Sequence, residues 1–161
     1  MNPAIDITQN SFFITFLASF LIWLMYAGLL TLWIIDGRIK KERALHALLA
    51  SLIAWGLTEM IKGLFPIARP FQLNGHLPLT LTTPQDGSFP SSHAAAAFGL
   101  AVAVWLHDKK SGTIFILSAF FVGLGRVLGN VHSTLDILGG AAIGSMTAFI
   151  LERLHVGKLL K

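Results

Sequence analysis

Residues 7–35, ITQNSFFITFLASFLIWLMYAGLLTLWII, decide the fold class of this chain. They hold no charged side chain, and about 20 consecutive apolar residues suffice to cross a hydrocarbon core of roughly 30 Å. A cleaved signal peptide fits them poorly: the uncharged run is too long, no basic stretch precedes it, and no small-residue cleavage site is evident. The rest of the chain agrees with a membrane setting. Of its 161 residues, 54% are hydrophobic and only 12% charged, whereas a soluble domain carries about 25% charged residues. The mean hydropathy is +0.70. With no cysteine, neither disulfides nor thiolate metal sites can form.

The expectation is an all-α, polytopic transmembrane bundle of about five membrane helices, in a single domain over residues 1–161. The helices are expected over about 11–35, 44–65, 90–107, 112–128 and 135–154. Pro90 suits a first helical turn, Gly112 and Gly129 bound the fourth helix, and the third and fourth are short for a full span. The fifth carries Gly139, Gly140, Ala141, Ala142, Gly144 and Ala148, small residues that let helices approach closely in lipid. Basic residues orient the bundle. Arg38, Lys40, Lys41, Arg43, Lys109, Lys110, Arg153, Lys158 and Lys161 fall on one side of a five-helix alternation, which the positive-inside rule makes cytoplasmic. The N-terminus is then outside and the C-terminus cytoplasmic. Only Lys62, Arg69 and Arg126 remain of the twelve Lys and Arg residues, all toward the outer side.

Those three cations share short segments with two histidines and a carboxylate: Lys62 to Arg69-Pro70, Pro90-Ser91-Ser92-His93, and Arg126 through His132 to Asp136. His132 and Asp136 are four residues apart, one face of a helix that already includes His132. A carboxylate on one imidazole nitrogen fixes the tautomer and frees the lone pair of the other, as a nucleophilic histidine requires. His93 can protonate a departing oxygen. Arg69 and Arg126 offer planar forks and Lys62 a point charge for a phosphoryl group. The helix start at Pro90-Ser91-Ser92-His93 presents free N–H groups to an anion, with Ser91 and Ser92 as hydroxyl donors.

Each element alone has a plainer reading. Lys62 and Arg69 are interface anchors, Arg126 and Asp136 a structural ion pair, and His93 an interhelix contact. Glu59 pairs with Lys62, His46, His107 and His155 look solvated or lipid-facing, and His76 and Asp86, which could contact substrate from the outer loop, read rather as loop surface. Together these readings fail, because so little other charge exists in the chain.

The segments Lys62-Gly-Leu-Phe-Pro-Ile-Ala-Arg69-Pro70, Phe89-Pro90-Ser91-Ser92-His93 and Gly125-Arg126 through His132 to Asp136 resemble the three signature motifs of the type 2 phosphatidic acid phosphatase superfamily, with a motif core over 62–136. The resemblance implies a helical-bundle, metal-independent hydrolase working through a phosphohistidine, with no cofactor. By position it implies His132 as nucleophile, Asp136 as its orienting partner and His93 as general acid. Lys62, Arg69, Ser91 and Arg126 would bind the phosphoryl group, with backbone N–H groups at Ser92 and His93. Ser92 stands where a glycine is usual, and Gly125 where a serine usually precedes the arginine. Many bacterial relatives have six helices; losing one at the N-terminus keeps the site facing outward.

The expected function is therefore an integral lipid phosphatase of the cytoplasmic membrane, its active site facing the periplasm or cell exterior. The partners are the bilayer and a lipid phosphate or diphosphate, not nucleic acid. The wording around Arg69 and His93 resembles undecaprenyl diphosphate phosphatases more than phosphatidylglycerophosphate, phosphatidate or lipid A phosphatases. Two rivals remain at this level. His93, His132 and Asp136 form a two-histidine, one-carboxylate metal set, which the nearby cations oppose. A non-catalytic anionic-lipid binder or transporter would use the same cations without turnover. The sequence leaves the oligomeric state open.

Overall fold

The computed structural model describes residues 7–35 and 39–154. The chain ends, with His155, Lys158 and Lys161, and the loop residue Arg38 lie outside the described residues. What is described is helical, with no strand. The first apolar segment forms α1 (Ile7–Thr15) and α2 (Leu21–Leu30), joined by a π-helical turn at Phe16–Phe20 and followed by another at Thr31–Ile35. Next come α3 (Lys41–Leu64), a short α4 (Pro70–Asn74), α5 (Ser92–His107), α6 (Lys109–Leu128) and α7 (Thr134–Arg153).

Four segments are long and apolar enough to cross a membrane: Ser11–Ile34, Lys41–Leu64, Lys109–Leu128 and Thr134–Arg153. The expected third span is shorter. At 16 residues, α5 is about 24 Å long. It begins at Ser92 behind an N-cap at Ser91 rather than at Pro90, because Ser91 Oγ accepts the Ala94 N–H at 3.4 Å. The fourth helix gains a turn over its expected start, because Asp108 caps it by accepting from Lys110 N at 3.0 Å and Ser111 N at 3.3 Å. Gly112 thus lies inside α6 instead of bounding it. The helix α4 was not expected; Pro70 opens it and Gly75, at φ 72°, closes it.

Small residues set the packing. The central helix α5 is buried along nearly its whole length through Ala94–Ala97 and Gly99–Val104, and it packs on α3, α6 and α7. On α3 the buried stripe is Ala44, Ala47, Ala50, Ser51, Ala54, Thr58 and Lys62, the three-and-four spacing of one helix face. The buried face of α7 runs Asp136, Gly140, Gly144, Thr147 and Ala148. A methyl group at Gly140 or Gly144 would collide with the α5 backbone at Ser91 or Ala95. Each inward stripe ends in a charged residue at one end of the bundle: Lys62 on α3, Arg126 on α6 and Asp136 on α7. Contacts that hold the core together therefore also aim the charges.

The opposite end carries its own contacts. His107 Nε2 lies 3.1 Å from Glu152 Oε2, and the His46 and His107 rings are 6.4 Å apart. These histidines join α3, α5 and α7 instead of facing solvent or lipid, a correction to the reading from sequence. Lys109 Nζ sits 3.1 Å above the Trp105 ring, a cation–π contact at the end where the Lys and Arg residues gather.

Candidate active site

A cavity of about 380 Å³ opens where the three inward stripes end. Lys62, Arg69, Ser92, His93, Arg126 and His132 line it, together with Glu59 and Asp86. Six of the eight residues singled out in the sequence thus meet at one chamber. Asp136 stands behind His132. Ser91 does not reach the chamber wall; its side chain is fully buried as the α5 cap, and its N–H donates to Asp136 O at 2.9 Å.

The local chain explains how His132 arrives. Helix α6 closes as Gly129 N donates to Gly125 O at 2.7 Å, and Asn130 takes a left-handed turn at φ 61°. Asparagine tolerates that conformation better than most residues. Val131 and His132 then both donate their N–H groups to Arg126 O at 3.3 Å. The tight turn puts His132 beside Arg126. Ser133 caps α7 in a capping box: Asp136 N donates to Ser133 Oγ at 3.3 Å, and Ser133 N donates to Asp136 Oδ2 at 2.7 Å. His132 is therefore just outside the helix, not within it.

The histidine is 2% exposed. Its Nδ1 faces Asp136 Oδ2 at 3.5 Å, and its Nε2 faces Arg69 Nη1 at 3.2 Å. At 3.5 Å the Asp136 contact is electrostatic, with the Nδ1 hydrogen bond not yet closed. Asp136 Oδ2 is meanwhile held by the Ser88 hydroxyl at 2.6 Å and by Ser133 N. Burial pushes the His132 imidazole down to about 4; Asp136 opposes that shift, while the charges of Arg126 and Arg69 add to it. The ring is thus neutral at pH 7, with Nδ1–H toward the carboxylate and the Nε2 lone pair toward the cations.

Arg69 is the most buried of the cations, at 1% exposed, and all its donors are engaged. Nε donates to Asp86 O at 2.9 Å, Nη2 to Asp86 Oδ1 at 2.9 Å and to Gly87 O at 3.0 Å, and Nη1 to Val131 O at 2.9 Å besides facing His132. It stitches the loop before α5 to the turn before α7. Lys62 Nζ donates to Asp86 Oδ2 at 2.6 Å and to Glu59 Oε1 at 3.1 Å, and Ser92 Oγ donates to the same Glu59 oxygen at 2.5 Å. Arg126 differs. Its Nη1 donates to Ala18 O at 3.2 Å, while its buried Nε has no partner.

Two contacts at the chamber were missed in the sequence. Asp86 bridges Lys62 and Arg69 instead of lying idle on the loop; being the sole acidic residue between Arg69 and His93 was the available signal. Ser88 holds Asp136 across 48 residues, a distance no periodicity reports. The structure also accounts for Gly125. A Cβ there would lie 2.6 Å from Leu17 Cβ and 2.7 Å from Ala18 N, so the π turn of the first segment presses directly on α6 where a serine is usual. The same turn supplies Ala18 O to Arg126. Among the described residues no three His, Asp or Glu side chains cluster as a metal site.

Comparisons with known proteins define the class. The PAP2 superfamily model matches residues 43–158. The chain belongs to that superfamily. It is 27% identical over 136 residues to the bacitracin transport permease protein BcrC of Bacillus licheniformis, covering 84% of this chain and 67% of that protein. It is 24% identical over 126 residues to the undecaprenyl-diphosphatase BcrC of Bacillus subtilis (strain 168), covering 78% of this chain and 64% of that one. The chain thus spans about two thirds of the length of these relatives. The crystal structure of LpxE from Aquifex aeolicus superposes with a TM-score of 0.71 at 28% identity, covering 95% of this chain and 88% of that one.

Proposed function

We propose that this chain is a multi-pass membrane phosphatase that hydrolyses a lipid diphosphate, undecaprenyl diphosphate foremost, through a phosphohistidine on His132. The observation that carries the reading is a shared wall. Beside the charged chamber lies an apolar groove of about 350 Å³ lined by Ile22, Trp23, Tyr26, Leu52, Trp55 and Ala96, and both cavities include Trp23, Trp55, Ser92 and His93. A headgroup at the cations would leave its chain in that groove, between the first segment, α3 and α5. The undecaprenyl-diphosphatase relative supports the choice of lipid.

The chemistry follows from the contacts. The His132 Nε2 lone pair attacks the terminal phosphorus, the bond to the leaving lipid phosphate breaks, and His93, protonated once the anionic headgroup lies beside it, gives its proton to the departing oxygen. Asp136 stabilises the charge that forms on the ring. Arg126, with its unpartnered Nε, and Lys62 neutralise the phosphoryl oxygens. Water then gives a proton to His93 and attacks phosphorus, the N–P bond breaks, and orthophosphate leaves with His132 restored. No step requires a metal ion. The basic residues at the far end of the bundle favour an orientation in the cytoplasmic membrane that turns the chamber outward.

Phosphate release by detergent-purified protein tests the reading, across undecaprenyl diphosphate, phosphatidylglycerophosphate, phosphatidate and a short water-soluble phosphate ester. Undecaprenyl diphosphate should be turned over fastest, with EDTA harmless and vanadate inhibitory. Preference for the water-soluble ester would remove the groove's role, and loss of activity in EDTA would remove the metal-free mechanism. Binding without any phosphate release would establish the transporter or binder instead.

A further inference from the structure

The two cations of the first motif share one acidic partner. Asp86 Oδ1 lies 2.9 Å from Arg69 Nη2 and Asp86 Oδ2 lies 2.6 Å from Lys62 Nζ. One carboxylate spans both, as two oxygens of a phosphoryl group would. Lys62 and Arg69 are 6% and 1% exposed, while the Asp86 side chain is 41% exposed and lines the chamber. Burial works against its ionisation, but the Lys62 hydrogen bond and the charges of Lys62 and Arg69 outweigh that and hold its pKa below the ordinary carboxylate value. The loop itself does not depend on this carboxylate. Arg69 also grips the Asp86 and Gly87 carbonyls, and Ser88 N donates to Ile67 O at 2.8 Å, so the side chain can turn away while the backbone stays anchored.

We propose that Asp86 is a built-in competing anion, occupying the phosphoryl seat between Lys62 and Arg69 until substrate displaces it and returning to expel orthophosphate. The proposal rests on the phosphatase reading and adds a specificity and turnover device to it. Its physical content is competition. A phosphoryl group must break both Asp86 ion pairs to reach the two cations, and the displaced carboxylate then stands next to a like charge. Both effects weaken the hold on a small product anion. A lipid substrate offsets them through its chain in the apolar groove, whereas orthophosphate has no chain. The device therefore discriminates against the product more than against the substrate.

Asp86→Asn keeps the shape and a hydrogen-bond acceptor but removes the charge, and Asp86→Ser removes the bridge altogether. Inhibition of lipid phosphate release by added orthophosphate and by vanadate is measured for both variants and for the unaltered protein. The expected result is an orthophosphate inhibition constant about tenfold lower in Asp86→Asn, equivalent to about 1.4 kcal/mol, with a lower KM and a lower kcat. Asp86→Ser should show the same direction. A merely structural tether predicts the reverse pattern: the loop loosens, kcat falls, and orthophosphate inhibition stays equal or weakens. That outcome in whichever variant folds would overturn the proposal. Failure of the unaltered protein to release phosphate from any lipid would instead overturn the phosphatase reading, so the two failures are distinct.

Discussion

Replacing Asp136 by asparagine separates charge from shape at the proposed nucleophile. The carboxylate oxygen lies 3.5 Å from His132 Nδ1. When Nε2 takes the phosphoryl group, the ring acquires positive charge, and a unit pair at that separation interacts by about 4.7 kcal/mol at an effective dielectric of about 20. Arg69 and Arg126 oppose part of that field, so about 3–4 kcal/mol is the expected loss in the transition state. At 1.36 kcal/mol per decade that is a fall in kcat of about 10²–10³-fold. Asparagine can still accept from Ser133 N, so the α7 cap and the fold should survive, apart from about 1 kcal/mol of capping energy. The assay is single-turnover phosphate release by purified protein, with thermal unfolding in the same detergent as the control for folding. A well-folded Asp136→Asn protein within threefold of normal kcat would refute the assignment of Asp136 as the charge partner of the nucleophile.

Other expectations follow from the same geometry. Ser88→Ala removes one of two hydrogen bonds to Asp136 Oδ2; bonds to charged groups contribute about 1.5–3 kcal/mol, so kcat should fall about tenfold or more with KM little changed, as steady-state kinetics would show. Gly125→Ala drives a methyl into Leu17 and Ala18; overpacking of this kind costs about 1–3 kcal/mol, so the thermal midpoint should drop and the Arg126 to Ala18 contact should loosen. An unchanged midpoint would mean the π turn is not packed as described. Because the His132 pKa is lowered, to about 4, the neutral nucleophile is populated throughout the neutral range and is lost only as pH falls toward that value. After allowance for substrate ionisation, the acid limb of kcat/KM from His132 should lie near pH 4; a limb centred near 6.5 would contradict the buried, cation-flanked ring.

Much of this architecture was legible because membrane insertion and function leave separate marks. The uncharged run of residues 7–35 announces a span without reference to any motif. The distribution of Lys and Arg singled out Lys62, Arg69 and Arg126 before their contacts were known, and the chamber contains all three. Spacing brought His132 and Asp136 together, although the capping box at Ser133 leaves His132 outside the helix. What escaped the sequence is long-range or geometric. Nothing local marks the π turn that lends Ala18 O to Arg126, and nothing local shows Ser88 reaching Asp136. Hydrophobic periodicity reports which face is buried, not that its last residue is a cation. Arg69 was read as a free fork for phosphate, yet four oxygen acceptors and the His132 ring already share its donors and make it a clamp between loops as well. Asp86 was read as loop surface in preference to a substrate contact; only the fold shows that it answers two buried cations.

The central claim is covalent, and trapping the intermediate tests it most directly. Purified protein is mixed with lipid diphosphate labelled in its terminal phosphorus, quenched in base within a turnover, and digested for mass spectrometry. The account predicts label that is stable in base, lost in acid, borne on His132, absent from His132→Ala, and longer-lived in His93→Ala. Turnover without any protein-bound phosphate, or label on a residue other than His132, would contradict it.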